Sequence, residues 1–136
     1  MGAGERHKMM DTIDVLFTTL TIRAVVITVI MIVRENGGYI VHAHPFREKA
    51  NAYSIDMIRQ MPRDVDAVET YNAHSSDFQN SMAEKYADAY KLPKLCGSDN
   101  YTGAQGVFAG VEFNEKLISS ENFIKKLIYE WEQLFD

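Results

Sequence analysis

A single cysteine, Cys96, is all the sulfur chemistry this chain has apart from its methionines. No internal disulfide can staple it, so a reducing cytoplasm is the expected setting, and no cysteine spacing resembles a zinc ribbon or finger. Basic residues are outnumbered, with 14 Lys and Arg against 19 Asp and Glu, which leaves a net charge of −5. No Lys/Arg cluster offers a surface that could track phosphates, and this argues against a nucleic-acid binder. A long unbroken apolar run is also missing. Residues 13–33 are dominated by apolar and β-branched side chains, but Asp14 and Arg23 interrupt them. The uninterrupted part, Ala24 to Val33, is about half of the ~20 residues that a membrane span needs, so no membrane partner is expected. Arg34-Glu35-Asn36 follows it in place of a small-residue cleavage site, which also fits a signal peptide poorly.

What is present suits one globular domain over residues 1–136. The chain is 46% hydrophobic and 24% charged, and it is long enough for a proper core. Within it, residues 1–33 form an apolar N-terminal segment and residues 34–136 a body of mixed composition. Apolar side chains on every side of the N-terminal segment predict burial all round, as a central helix or a strand pair. If this chain does not cover the segment, a second subunit is expected to.

The body is organised around Gly37-Gly38-Tyr39-Ile40-Val41-His42-Ala43-His44-Pro45-Phe46-Arg47. The glycines close a preceding element, Tyr39 to Val41 are β-formers, and Pro45 stops the strand because it cannot donate to a ladder. Two imidazoles are thus delivered to a strand end, and alternation places His42 and His44 on one face. Ser54 is expected to cap a short helix ending at Pro62. Residues 65–72 alternate as a strand, and Ser76 with Gln79 makes a capping box for a helix carrying Phe78, Met82, Tyr86 and Tyr90. Lys94-Leu95-Cys96 reads as a short strand running into Gly97-Ser98-Asp99-Asn100, and residues 111–113 as a last strand. Ser119 or Ser120 caps a C-terminal helix whose stripe is Ile124, Leu127, Ile128, Trp131, Leu134 and Phe135.

Strand, polar strand end and helix therefore recur, which predicts an α/β fold with a mainly parallel sheet or a partial barrel. Parallel strands put their carboxyl ends on one rim, so His42 and His44, then Glu69, Asn72 and His74, then Asp99 are expected to converge. Imidazole and carboxylate together suit zinc, manganese or iron. Singly, each has an ordinary reading as well: a hydrogen-bonded histidine, a paired glutamate, an aspartate in a turn.

The His-Ala-His-Pro-Phe-Arg stretch, then Asp66-Ala67-Val68-Glu69-Thr70-Tyr71-Asn72, then Gly97-Ser98-Asp99-Asn100 resemble the later motifs of the PHP (polymerase and histidinol phosphatase type) family of metal-dependent phosphoesterases. The resemblance covers roughly residues 34–110. It implies a PHP-like (β/α) barrel whose strand ends hold metals that activate water against a phosphate ester. It implies His44 and Asp99 as metal ligands, Arg47 on the substrate phosphate, and Glu69 and Asn72 as supporting residues. His42 matches no ligand position. The family's opening His-x-His strand has no counterpart before Gly37, and Tyr101 stands where the family's last motif has histidine. Phenol stays protonated near neutral pH, so Tyr101 is a poor replacement for imidazole. The resemblance therefore implies the C-terminal half of the barrel, lacking the N-terminal strands, with an incomplete ligand set. Metal binding is expected to be weak or absent and the isolated chain inactive. The missing strands imply a homodimer or a complementing chain that closes the open side. Two functions follow: a phosphoesterase completed by another polypeptide, or a non-catalytic oligomeric or regulatory remnant of the fold.

Overall fold

The computed structural model describes residues 20–47, 58–100, 106 and 108–132. The chain divides at Gly38/Tyr39 into two compact units.

The first unit holds a helix over 20–35, α1. Its end is set by the two glycines: Gly37 takes φ of 71°, Gly37 N–H donates to Arg34 O at 3.0 Å, and Gly38 N–H donates to Val33 O at 2.8 Å. This pair of bonds is the Schellman stop, and it needs the left-handed conformation that glycine adopts without a Cβ penalty. Thr28 folds its hydroxyl onto Ala24 O at 2.8 Å. The burial on every side that composition predicts is not met: Leu20, Val25, Ile27, Val29, Met31 and Ile32 are all exposed. No helix among the described residues is long and apolar enough to cross a membrane.

The second unit is mixed α/β, built on an open three-stranded parallel sheet in the order β1 (Val41–His42), β2 (Ala67–Asn72), β3 (Lys94–Gly97). The start of β1 is fastened by Asp66, whose carboxylate accepts from Ile40 N–H at 2.8 Å, while Asp66 N–H donates back to Ile40 O at 2.8 Å. A side chain thereby continues a ladder that has only two backbone pairs, Val41 with Ala67 and His42 with Val68. β2 is the central strand, and Ala67 and Val68 at its start have no exposed surface. Between β2 and β3 runs α2 (Asp77–Tyr90), so this segment is a βαβ unit.

The predicted capping box opens α2: Gln79 N–H donates to Ser76 Oγ at 3.3 Å, and Ser76 N–H donates to Gln79 Oε1 at 3.0 Å. Lys91 closes it in the left-handed region, with φ of 53°, and its N–H reaches the carbonyls of Ala87 and Asp88. The face α2 buries differs from the expected one. Ala83 and Ala87 are buried, whereas Phe78 is 74% exposed and Tyr90 52%. Small residues let the helix sit close to the sheet, so Val65, Val68, Ala87 and Leu92 form the core with Ile40, Ile58 and Tyr86 around it.

The last helix, α3 (Ser120–Glu132), is capped by Ser119, whose Oγ accepts from Asn122 N–H at 3.1 Å. Leu127 is buried, and Phe123 meets Phe113 at 5.5 Å between ring centroids. Ile128, expected on the core stripe, is partly exposed. Residues 111–113, expected as a strand, pair with no strand among the described residues. The start of the helix expected from Ser54, and the side chains of Trp131, Leu134 and Phe135, lie outside the described residues, although residues 58 and 59 are helical.

The caps of α2 yield a direct prediction. Ser76→Ala removes one member of the box and should cost about 1 kcal/mol. Lys91→Gly relieves the left-handed backbone and should stabilise by roughly 0.5–1 kcal/mol. Urea titrations followed by far-UV circular dichroism read both, and a Lys91→Gly chain no more stable than the parent would contradict this account of the helix end.

Candidate functional site

The carboxyl ends of the three strands lie side by side, and one backbone irregularity decides what they present. Glu69 pairs with Leu95 and Tyr71 with Cys96, so two steps along β2 match one step along β3 and Thr70 is the extra residue. In an unbroken strand, residues three apart point to opposite faces. The extra residue restores Glu69 and Asn72 to the same side, where Asn72 Nδ2 donates to Glu69 Oε2 at 3.1 Å.

Asn72 is 1% exposed, and all of its polar groups are engaged. Its Oδ1 accepts from Arg47 Nη2 at 3.0 Å and from His74 N–H at 2.9 Å. Its backbone is bracketed by Asn80 of α2, which accepts from Asn72 N–H at 3.0 Å and donates to Asn72 O at 3.2 Å. Asn80 escaped the sequence reading. The available signal was its position three residues before Ala83 and seven before Ala87, on the helical stripe that the structure buries.

The turn after β1 delivers Arg47. Arg47 N–H donates to His44 O at 3.1 Å, closing a turn around the fully buried Pro45, and His44 takes φ of 33°. His44 N–H donates to Glu69 Oε2 at 2.7 Å. From this turn the Arg47 guanidinium reaches across β2 to the loop after β3, where its Nη1 pairs with Asp99 Oδ2. Both side chains are largely out of water, at 12% and 13% exposure, so their attraction is screened less than at a surface. Asp99 also stands in the left-handed region, with φ of 49°. His74 points its Nδ1 at Ser98 O in the same loop.

His44, Arg47, Glu69, Asn72 and Asp99 therefore meet in one hydrogen-bonded rim. Tyr101 lies outside the described residues. His42 takes no part in the rim's bonds. It pairs in register with Val68, is 3% exposed, and turns its ring edge-on to Tyr86 of α2 at 6.3 Å. The strand stops at His42, so alternation no longer governs where His44 points. Neither ring nitrogen of His42 has a hydrogen-bond partner among the described residues, and neither does His44 Nδ1. Burial pushes the His42 imidazole down to about 4, helped by the positive charges of Arg59 and His44.

The donor set does not fit the metal cluster that the resemblance implies. The Asp99 carboxylate is held by Arg47, and Glu69 Oε2 is held by a backbone N–H and an amide. Among the described residues, no three His, Cys, Asp or Glu side chains gather as a metal-binding group. The rim pairs its charges internally and is packed tightly. A Cβ added to Gly97 would fall on Glu69 Oε1, and that carboxylate is pinned from its other oxygen.

Two predictions come from this geometry. Gly97→Ala should cost about 1–3 kcal/mol by overpacking, and the cost should shrink in a Glu69→Ala background. Equal costs in both backgrounds, by urea titration, would show that Glu69 is not what Gly97 accommodates. The second concerns acid. The folded pKa of His42 lies below its unfolded value near 6.5, so the unfolded chain binds the proton more readily. Stability is full above pH 6.5 and is lost as pH falls toward 4. Between pH 7.5 and 5.0 this amounts to about 2 kcal/mol. His42→Leu should remove that part of the slope, and an unchanged slope would clear His42 of it.

The chain matches no family model, no curated protein and no solved structure.

Proposed function

We propose that this chain is a PHP-like α/β module that keeps the strand-end rim without the hydrolysis, and acts as a homo-oligomeric or regulatory component. One observation carries the reading. Arg47, the residue assigned to a substrate phosphate, and Asp99, the residue assigned to a metal, are bonded to each other, with Asn72 completing the contact. A catalytic rim keeps such groups open to ligands, and this one closes them. Self-association is supported by the apolar side chains that α1 leaves exposed and by the sheet, which has open edges at β1 and β3 among the described residues. A homodimer is the simplest closed assembly that would cover them.

A second reading has its own support. The unpartnered ring nitrogens of His42 and His44 at the end of β1 are free lone pairs or donors. A phosphoesterase completed by another chain, with zinc, manganese or iron, would use His44, provided the partner also drew Asp99 away from Arg47.

One experiment separates the two. The protein and its His44→Ala variant are purified without chelator, sized by light scattering, analysed for metal, and assayed on p-nitrophenyl phosphate mono- and diesters with manganese, zinc and iron. The proposal expects a dimer, substoichiometric metal, and no turnover that depends on His44. Stoichiometric metal and turnover that both vanish in His44→Ala would overturn it in favour of the hydrolase.

A further inference from the structure

We propose that Arg47 is the resident structural cation of this rim: its guanidinium fixes the Asp99 carboxylate and the Asn72 amide together, and the strand ends assemble without a metal. This rests on the non-catalytic reading, but its test reads stability instead of turnover, so either can fail alone.

Three observations carry it. First, the guanidinium bridges elements far apart in the chain. It starts from the turn after β1, bonds Asn72 at the end of β2 at 3.0 Å, and pairs with Asp99 beyond β3. A planar fork can hold two acceptors at once, whereas an ammonium is a point charge on a flexible stem. Second, the pair is mostly excluded from water, at 12% and 13% exposure. A carboxylate left there without its cation would be an uncompensated, poorly solvated charge. Third, Asp99 sits at φ of 49° and His44, at the start of the Arg47 turn, at φ of 33°. Left-handed backbone carries a cost at residues with a Cβ, smaller for Asp and His than for most, and surrounding contacts help to hold it. The bonds from Arg47 to Asp99 and from His44 N–H to Glu69 are contacts of that kind at these two residues.

A divalent cation at Asp99 would lie against the guanidinium and be repelled by it. Arg47 and a metal are therefore alternatives at this carboxylate, and the chain has taken Arg47. Asparagine tolerates left-handed backbone and keeps an acceptor, so Asp99→Asn isolates the charge.

The test is thermal unfolding of the full chain and of Arg47→Met, Asp99→Asn and the double variant, each with EDTA and with added manganese or zinc. The midpoint of the parent should not move with EDTA or with either metal. Arg47→Met should lower it by on the order of 10 °C. Adding Asp99→Asn to Arg47→Met should recover part of that loss, because the stranded charge is gone. Should Arg47→Met not fold, Arg47→Lys serves in its place, with a smaller loss expected since the charge stays and the fork is lost. A parent midpoint that falls with EDTA would overturn the proposal. So would an Arg47 variant as stable as the parent, or a double variant whose losses simply add.

Discussion

One buried amide, that of Asn72, sets the conditions for the whole carboxyl edge of the sheet. A polar side chain with 1% exposure has no water to fall back on, so each of its donors and acceptors must find a partner in the protein. Arg47, His74 and Glu69 answer the side chain, and Asn80 answers the backbone. The turn after β1, the loop after β2 and the first turn of α2 are tied together by that requirement, and Arg47 extends the tie to the loop after β3. The Asn72–Glu69 bond depends on Thr70 interrupting the pairing of β2 with β3, because only then do these two residues share a side.

The rim's electrostatics follow from the same geometry. The rim holds two carboxylates: Asp99 pairs with the guanidinium, and Glu69 is engaged by the His44 N–H and the Asn72 amide. Glu69 is held by neutral donors at a distance that leaves no room for a Cβ at Gly97, and Asp99 is held by charge. Groups arranged this way stabilise one another and have little bonding capacity left for a ligand. The imidazoles of His42 and His44 are the exceptions, and in His42 the consequence is a neutral ring with its proton affinity suppressed by burial. The rim is thus fully bonded at its centre, with unpartnered imidazole nitrogens along the β1 end.

Apolar surface is distributed unevenly. In the second unit the core is small and built around Val68 and the alanines of α2, with the aromatic rings of Phe46, Tyr86 and Tyr90 packed in series beside it. In the first unit, α1 leaves Leu20, Val25, Ile27, Val29, Met31 and Ile32 exposed. Exposed apolar area of that kind is what association between chains removes from water.

Local chemistry by itself determined several of the element ends in this protein. The Gly37-Gly38 stop, the turn at Pro45, the Ser76 and Gln79 box and the Ser119 cap each depend on a few neighbouring residues and on backbone hydrogen bonds they can make at short range. The parallel order of strands was legible too, because the polar strand ends recur with a helix after the second of them. Tertiary structure alone decided the rest. That α2 buries Ala83 and Ala87 and turns Phe78 and Tyr90 outward depends on how near the sheet the helix must lie, which no periodicity count contains. That Asn72 and Glu69 share a side depends on a register slip against β3, a strand more than twenty residues away. Arg47 and Asp99, each plausible as a ligand-binding residue in its own motif, became partners because the two loops that carry them were brought within reach of one another, and opposite charges held out of water bind each other first.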